Sequence, residues 1–305
     1  MSPTVASETR VAGRRQRGGA ISLKSWREIP AVRRRALAWP REHGAWGILL
    51  VSLITGAVAG FSSVANLPGL LWLTVAATAT FSLRTPLENS LPASPFRART
   101  PGERRWVIAA MAVYALACAL AVVMLWYEGD FGLVWKPALA ASGLFVLQGA
   151  VKRAGRTGRL VGEIVGAFGL ALVALAAWSV GAGRFGFEGV TLWLMNGLFA
   201  TNQILYVQLR IGEMRGSKGP TYSGGKLLFL VGEVLTAVVL IAAWRARLLP
   251  LLALLAFLPI LVRGGVWSFR PSAQLVHIHR LGKTELAHAI LFGLLVIAGF
   301  RLHFL

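Results

Sequence analysis

The chain has 305 residues, of which 56% are hydrophobic and only 14% are charged, and its mean hydropathy is +0.63. Soluble domains usually carry about 25% charged residues, so this composition excludes an ordinary soluble protein. The net charge of +20 does not indicate nucleic-acid binding, because Lys and Arg occur in short clusters between apolar segments.

Residues 1–39 form a basic segment that precedes the first apolar stretch and lacks the pattern of a cleaved signal peptide. We predict that this segment is cytoplasmic and largely disordered. Its last part, from Ser22 to Ala38, has the composition of a basic amphipathic helix that lies on anionic lipid.

Residues 40–305 contain nine apolar segments, each of about 18 to 23 residues and therefore long enough to cross a hydrocarbon core as a helix. Runs of this length are too long for the strands of a membrane barrel. We predict an all-α fold, a polytopic integral membrane bundle of nine transmembrane helices. The predicted spans are 44–61, 66–83, 106–126, 131–150, 160–182, 187–207, 227–244, 248–267 and 285–304.

The distribution of basic residues predicts the orientation of this bundle. With nine spans and the N-terminus inside, 27 of the 32 Lys and Arg residues fall on the inner side. This bias predicts an N-terminus in the cytoplasm, a C-terminus outside and a location in the inner (cytoplasmic) membrane.

Polar residues at the edges of the first and second spans are the first candidates for a functional site, because such groups are expensive in a membrane. His43 and Trp46 stand at the entry to the first span, and Arg84 follows the second. A helix start, an interfacial anchor and a charged loop are the structural alternatives for these residues.

Two cations follow the fourth predicted span. Lys152 and Arg153 lie where they could hold a phosphate, although a solvated loop is the simpler interpretation. Glu163 lies inside the fifth span and needs a partner, for which the neighbouring cations are candidates.

The end of the sixth span carries a ladder of polar residues. Asn202, Tyr206 and Arg210 are spaced by four positions and therefore share one helical face. We expect this face to line a cavity, with interhelical hydrogen bonding as the structural alternative.

The ninth span begins with a polar segment in which Thr284 is a candidate helix cap. Glu285 and His288 follow on the first turn, where they could handle a proton. A single Glu-x-x-His pattern is weak as a metal motif, so no metal site is predicted. No phosphate loop, zinc-type cysteine pair or Gly-x-Ser-x-Gly motif occurs, and the cofactor is unknown.

Four stretches resemble the YwiC-like family of bacterial membrane proteins over about residues 40–304. They are Pro40-Arg41-Glu42-His43-Gly44-Ala45-Trp46-Gly47, Arg84-Thr85-Pro86-Leu87, Leu205-Tyr206-Val207-x-Leu209-Arg210 and Leu281-Gly282-x-x-Glu285-x-x-His288. The resemblance implies relatives rather than a reaction.

A more distant resemblance is to the UbiA-type prenyltransferase superfamily, which implies nine helices with catalytic loops after helices two and six. It also implies a basic patch between helices four and five, which Lys152 and Arg153 match. The aspartates by which that superfamily holds magnesium and a prenyl diphosphate are absent here. An anion would instead be held directly by Arg84, Lys152, Arg153 and Arg210.

Together these features predict a membrane protein with a polar cavity that faces the cytoplasm. It would be a divergent UbiA-like transferase or a binder of a prenyl, quinone-type or anionic lipid-like ligand. The predicted catalytic residues are His43, Glu285 and His288. The predicted substrate-binding residues are Trp46, Arg84, Lys152, Arg153, Asn202, Tyr206 and Arg210. A transporter or permease and a non-catalytic assembly or cofactor-handling factor are the alternatives. The predicted partners are the lipid bilayer and an isoprenoid or anionic lipid-like ligand, no nucleic acid is expected, and protein partners are unknown.

Overall fold

The fold is known from a computed structural model that describes residues 29–91, 94, 96–153, 155–214, 220–269 and 278–304. Most of the basic segment 1–39 and the start of its proposed amphipathic helix lie outside the described residues. The described part is helical, with one short 3-10 turn at Val64–Asn66 and no strand. The helices are α1 (Ala31–Ala38), α2 (His43–Gly60), α3 (Leu67–Ser90), α4 (Pro101–Tyr127), α5 (Phe131–Lys152), α6 (Gly155–Ala182), α7 (Phe187–Met214), α8 (Pro220–Arg245), α9 (Leu251–Leu255), α10 (Leu258–Phe269) and α11 (Ile278–Phe304).

Seven helical segments of the described chain are long and apolar enough to cross a membrane. They coincide with seven of the nine predicted spans, so the protein is a multi-pass helical membrane protein. The other two predicted spans also fold as helices. One is α2, whose apolar part is shorter, and the other is α7, which carries several polar residues.

The long helices run alternately up and down. Gln148 of α5 meets Gly166 of α6, and Lys152 meets Gly162, so these two helices are antiparallel. In contrast, α2 is parallel to α11, because Gly293 lies beside Thr55 and a guanidinium nitrogen of Arg301 donates to the carbonyl oxygen of Phe61. The first and last long helices therefore begin at the same end of the bundle.

That end, which we call the basic end, comprises the N-termini of α2, α4, α6, α8 and α11 and the C-termini of α3, α5, α7 and α10. Six of these helices continue beyond the predicted spans by one or two turns. Charged side chains can extend into water there while the helical backbone keeps its hydrogen bonds. Arg84 and Arg210 consequently lie on helices rather than in the predicted loops, and Lys152 is the last residue of α5.

The predicted eighth span is broken into α9 and α10. Pro259 lacks a backbone N–H and cannot donate to the carbonyl of Leu255, so the helix is interrupted over Ala256 and Phe257. Phe257 is fully buried at the break and packs edge-on against Phe292 of α11, with ring centroids 5.3 Å apart. The interruption lies in the main hydrophobic core.

The N-terminal helix α1 packs on the bundle at the basic end. Asn89 of α3 donates to the carbonyl oxygen of Leu37 at 3.2 Å, and the Arg33 guanidinium binds the Glu103 carboxylate of α4 at 2.8 Å. Leu37 is fully buried. The described part of the proposed surface helix therefore contacts protein on one side.

The centre of the bundle is α6, which packs closely on α2 through small residues. A Cβ on Gly56 would lie 2.8 Å from the carbonyl carbon of Ala174, and one on Gly60 would lie 2.8 Å from the Cα of Trp178. This close approach fixes α2 beside α6 and places the polar ends of both helices together.

Candidate functional site

The first polar cluster at the basic end is centred on Arg84, and we call it the Arg84 cluster (Glu42, Arg84, Glu88 and Lys152). The Nε of Arg84 donates to Glu88 Oε1 at 2.7 Å, one helical turn later on α3. A terminal nitrogen of Arg84 lies 3.6 Å from Glu42 at the start of α2. The Arg84 side chain is 15% exposed, so this guanidinium is held by carboxylates on two helices.

Lys152 is the half-buried cation of the Arg84 cluster. Its aliphatic stem crosses α6 at Gly162, where a Cβ would lie 2.7 Å from Lys152 Cγ. The charges of Arg84, Glu42, Glu88 and Glu163 all act on it. Within the described part of the chain, however, its ammonium makes no ion pair or hydrogen bond. The cluster therefore holds two neighbouring cations, one of which lacks a direct counter-ion.

Trp46 packs beside this cluster between α2 and α3. Its ring stacks on Trp39 at a centroid distance of 5.3 Å and meets the edge of Phe81 at 4.8 Å. Its Nε1 donates to the carbonyl oxygen of Pro40 at 3.4 Å. Trp46 therefore holds the turn between α1 and α2 against α3, and these contacts give it a packing role next to Arg84.

The second polar cluster lies deeper in the bundle, where α7, α8, α10 and α11 meet. We call it the Arg263 network (Asn202, Glu233, Arg263 and Glu285). One terminal nitrogen of Arg263 donates to both carboxylate oxygens of Glu285, and the other donates to Asn202 Oδ1 at 3.0 Å. Asn202 Nδ2 in turn donates to Glu233 Oε1 at 2.6 Å. A continuous chain of polar contacts thus joins four helices.

Aromatic rings enclose the Arg263 network. The guanidinium of Arg263 lies over the Tyr206 ring at 3.9 Å, a favourable cation–π distance. Tyr206 also packs against Trp267 and Phe229, with centroids 5.4 and 6.2 Å away. These contacts keep the planar guanidinium between a ring and a carboxylate.

Arg210 and Glu213 form a pair one turn further toward the basic end. They bind each other on α7, and Trp267 Nε1 donates to Glu213 Oε2 at 3.3 Å. Asn202, Tyr206 and Arg210 thus face α8 and α10, as their spacing predicts for a single helical face. The face packs against protein and holds polar partners there.

Five buried polar atoms on α7, α8, α10 and α11 have no hydrogen-bond partner among the described residues. They belong to Arg210 (Nε), Glu233 (Oε2), Arg263 (Nε), Ser268 (Oγ) and His288 (Nδ1). Buried polar groups are normally paired, so the unpaired atoms on these four helices make the region a candidate functional site.

Helix α7 also binds α6 through Glu163, a carboxylate that lies outside both clusters. Gln208 donates to Glu163 Oε2 of α6, and Arg159 lies 3.4 Å from the other oxygen of Glu163. Glu163 therefore has its predicted cationic partner, together with an amide from α7. On another face of α7, Gln203 donates to the backbone oxygen of Glu285 at 3.0 Å.

The sequence-predicted site residues thus separate into two groups instead of lining one cavity. Arg84 and Lys152 come together with Glu42, whereas Asn202, Tyr206, Arg210 and Glu285 gather around Arg263. Arg153 is exposed at the end of α5. The side chain of His43 lies outside the described residues, although its backbone begins α2.

The predicted cap at Thr284 is wrong, because α11 begins at Ile278 and the Thr284 hydroxyl donates back to the Leu281 carbonyl at 2.8 Å. Glu285 and His288 consequently lie well inside the helix. Glu285 is occupied by Arg263, and among the described residues no three His, Cys, Asp or Glu side chains are grouped to hold a metal ion.

Sequence reasoning missed Arg263 as a site residue. It falls inside the predicted span 248–267, for which no site residue is predicted. A charged residue inside an apolar span is expensive in a membrane, so its position alone marks Arg263 as a candidate site residue. Glu233 was visible by the same criterion but was not assigned to the site.

Comparison with protein families gives one match, in which residues 39–178 correspond to the family model described as YwiC-like protein. The matched part contains the Arg84 cluster and ends within α6, whereas the Arg263 network lies beyond it. The sequence resemblance to this family is therefore confirmed over residues 39–178. No curated protein and no solved structure matches the chain.

Proposed function

We propose that the chain crosses the cytoplasmic membrane nine times, with its basic end in the cytoplasm and its C-terminus outside. The up-and-down arrangement supports this proposal, because it gathers the basic segments of the sequence at one end. Helix α2, with 18 residues, is about 27 Å long and can cross a hydrocarbon core of about 30 Å if the bilayer thins slightly.

A cysteine accessibility experiment tests this topology. In a Cys118→Ala background, single cysteines at Ala98 and Ala246 would lie at opposite ends of the bundle. In intact cells, a membrane-impermeant maleimide should label only Ala246→Cys, and both positions should react after lysis. Labelling of Ala98→Cys in intact cells would contradict the orientation.

We further propose that the basic end binds the anionic head group of a lipid-like molecule, such as an isoprenoid phosphate or another anionic amphiphile. The observation that carries this proposal is the juxtaposition of Arg84 and Lys152, in which Lys152 is half-buried and has no direct counter-ion among the described residues. A phosphate would complete this cluster, since a guanidinium fork and an ammonium both donate to its oxygens.

The surroundings of Arg84 suit an amphiphile. Its guanidinium lies 5.9 Å from the ring of Phe145, which is itself 42% exposed on the side of α5. Leu87, one turn from Arg84, is also exposed. A head group bound at Arg84 and Lys152 could therefore leave its tail in the bilayer against these apolar side chains.

A catalytic role has less support than binding. In the distant resemblance to prenyltransferases, carboxylates hold magnesium, but Glu42 and Glu88 are both engaged with Arg84. Glu285, predicted as catalytic, lies with Arg263 in the other cluster. A divergent transferase is still compatible with the proposal, because binding of the anionic head group would be the first step of its reaction.

Native mass spectrometry of the full chain with farnesyl diphosphate or phosphatidic acid tests head-group binding, and phosphatidylcholine serves as the neutral probe. Lys152→Gln should weaken binding of the anionic probes by about tenfold, the loss expected for one charge-assisted contact. Arg159→Gln removes a cation from the same end, but one whose side chain is 78% exposed, and should bind like the wild type. Equal binding by Lys152→Gln and the wild type would refute the proposal. An equal loss of anionic-probe binding in both variants would show that binding depends on the general positive charge of this surface and not on Lys152.

A transporter is the second candidate, and the Arg263 network is the observation that favours it, because it places ionisable groups deep within the apolar helices. Asn196 and Thr55 form a further polar pair between α7 and α2 at 3.1 Å. Uptake into reconstituted vesicles distinguishes the two candidates, since a binding site open only to the cytoplasm gives no flux. The role as an assembly factor stays a prediction.

A further inference from the structure

Charge is unevenly shared in the Arg263 network. It contains two carboxylates, Glu233 and Glu285, and one guanidinium. Arg263 directs one terminal nitrogen to both oxygens of Glu285 and the other to Asn202. Among the described residues, Glu233 receives only the neutral amide of Asn202, and its second oxygen is buried without a partner.

The orientation of the Asn202 amide is fixed by its neighbours. Its oxygen must face Arg263, which can only donate, and its nitrogen therefore faces Glu233. The opposite orientation would set two donors against each other. The charge of Arg263 thus reaches Glu233 through an amide and not through an ion pair.

The other cations near Glu233 are engaged elsewhere. On α7, Arg210 pairs with Glu213, and on α8 itself Lys226 lies 4.9 Å from the ring of Trp267. The short helix α9 consists of leucine and alanine only. Among the described residues, the other titratable groups on these helices close to Arg263 are Tyr206 of α7 and Glu285 of α11, and one turn beyond Glu285 the Nδ1 of His288 is buried without a partner.

Glu233 is also tightly enclosed. It is 7% exposed near the middle of α8, an apolar helix that is a candidate membrane span. A Cβ added to Gly264 of α10 would lie 3.0 Å from the carboxyl carbon of Glu233 and 3.0 Å from the Phe229 ring. This packing leaves little room for an organic cation on that side.

We propose that Glu233 is a proton-binding site within the membrane. An ionised carboxylate with no counter-ion is strongly unfavourable in such surroundings, and a proton is the ligand that neutralises it without needing space. A hydronium ion gives up the proton and leaves a water molecule, and the proton forms an O–H bond at Oε2, since Oε1 accepts from Asn202. The network then changes from one net negative charge to none, with no change in oxidation state.

This site is independent of the proposed head-group site. It uses no residue of the Arg84 cluster and lies beyond the part of the chain that matches a family model. It would give the protein a proton to take up and release, which is the requirement for coupling any conformational step to a proton gradient.

Infrared spectroscopy of the full chain in phosphatidylcholine nanodiscs tests the proposal. The wild type should show the carbonyl band of a protonated carboxylic acid at neutral pH, shifted by exchange into deuterated water and lost in alkali. Glu233→Gln, which has nearly the same shape, should lack this band. Glu188→Gln is the matched control, because Glu188 pairs with Arg184 at 2.7 Å and should already be ionised.

A second variant keeps the test decisive if Glu233→Gln does not fold. Glu233→Asp retains an acid at the position, so the band should persist at a changed frequency. A wild-type protein without the band at neutral pH would overturn the proposal. The same conclusion would follow from a band that is unchanged in both Glu233 variants.

Discussion

The buried pair between Arg263 and Glu285 gives the most direct test of the Arg263 network. Its two side chains are 12% and 11% exposed and come from α10 and α11. The perturbations are Arg263→Gln, Glu285→Gln and the double variant. Each single change leaves one charge without its partner inside the bundle.

The expected magnitudes follow from what each variant leaves behind. Removing one member of a buried ion pair costs about 3–5 kcal/mol of unfolding free energy. Arg263→Gln also loses the contact to Asn202 at 3.0 Å and the cation–π contact with Tyr206 at 3.9 Å. Its loss of unfolding free energy should therefore lie at the upper end of this range. The double variant leaves two neutral amides that can hydrogen-bond, and we expect a loss of about 1–2 kcal/mol.

The assay is unfolding by denaturing detergent in mixed micelles at neutral pH, followed by tryptophan fluorescence. The double variant should be more stable than either single variant, with a coupling energy of at least about 2 kcal/mol. Arg184 and Glu188 provide a matched cycle at the opposite end, where the Arg184 side chain is 61% exposed and coupling should be below about 1 kcal/mol. Additive losses at Arg263 and Glu285 would refute the reasoning.

Two further changes test the packing that positions the site. Gly56→Ala forces a Cβ to within 2.8 Å of the Ala174 backbone and should destabilise the bundle by about 1–3 kcal/mol, measured by the same detergent titration. Gly143→Ala, in a helix where a Cβ meets nothing within 4 Å, should be neutral or slightly stabilising, and equal losses in both would contradict the close contact of α2 and α6. Asn89→Ala removes the hydrogen bond to Leu37 and should increase protease cleavage next to α1, while an unchanged cleavage rate would show that α1 is held without it.

Much of the fold follows from hydropathy alone, because the backbone of an apolar segment of this length must form its hydrogen bonds within a helix. All nine predicted apolar segments are helical, although the eighth is interrupted between α9 and α10. The break between α9 and α10 was missed, although Pro259 was visible in the sequence. Its effect depends on Phe257 filling the core at the interruption, which a linear pattern does not reveal.

The candidate site could be predicted less completely. Helical spacing correctly places Asn202 and Tyr206 on one buried face, since that depends only on local geometry. The partner of Glu285 depends on which helix lies beside α11, and the sequence contains no local signal for that choice. The division into two clusters likewise depends on tertiary packing, because Arg84 lies on α3 and Arg263 on α10.

The polar character of α7 bears directly on the proposed number of membrane crossings. Its mean hydropathy is lowered by residues that do not meet lipid, since Asn196, Asn202 and Tyr206 are all buried within the bundle. On its outer surface, Leu194 is 42% exposed. A helix in a bundle needs an apolar surface only where it contacts lipid, and its polar face is satisfied by partners on α2, α8 and α10. Of these residues, Asn202 belongs to the Arg263 network, Tyr206 packs on Arg263, and Asn196 binds Thr55 of α2, and their burial supports α7 as a spanning helix.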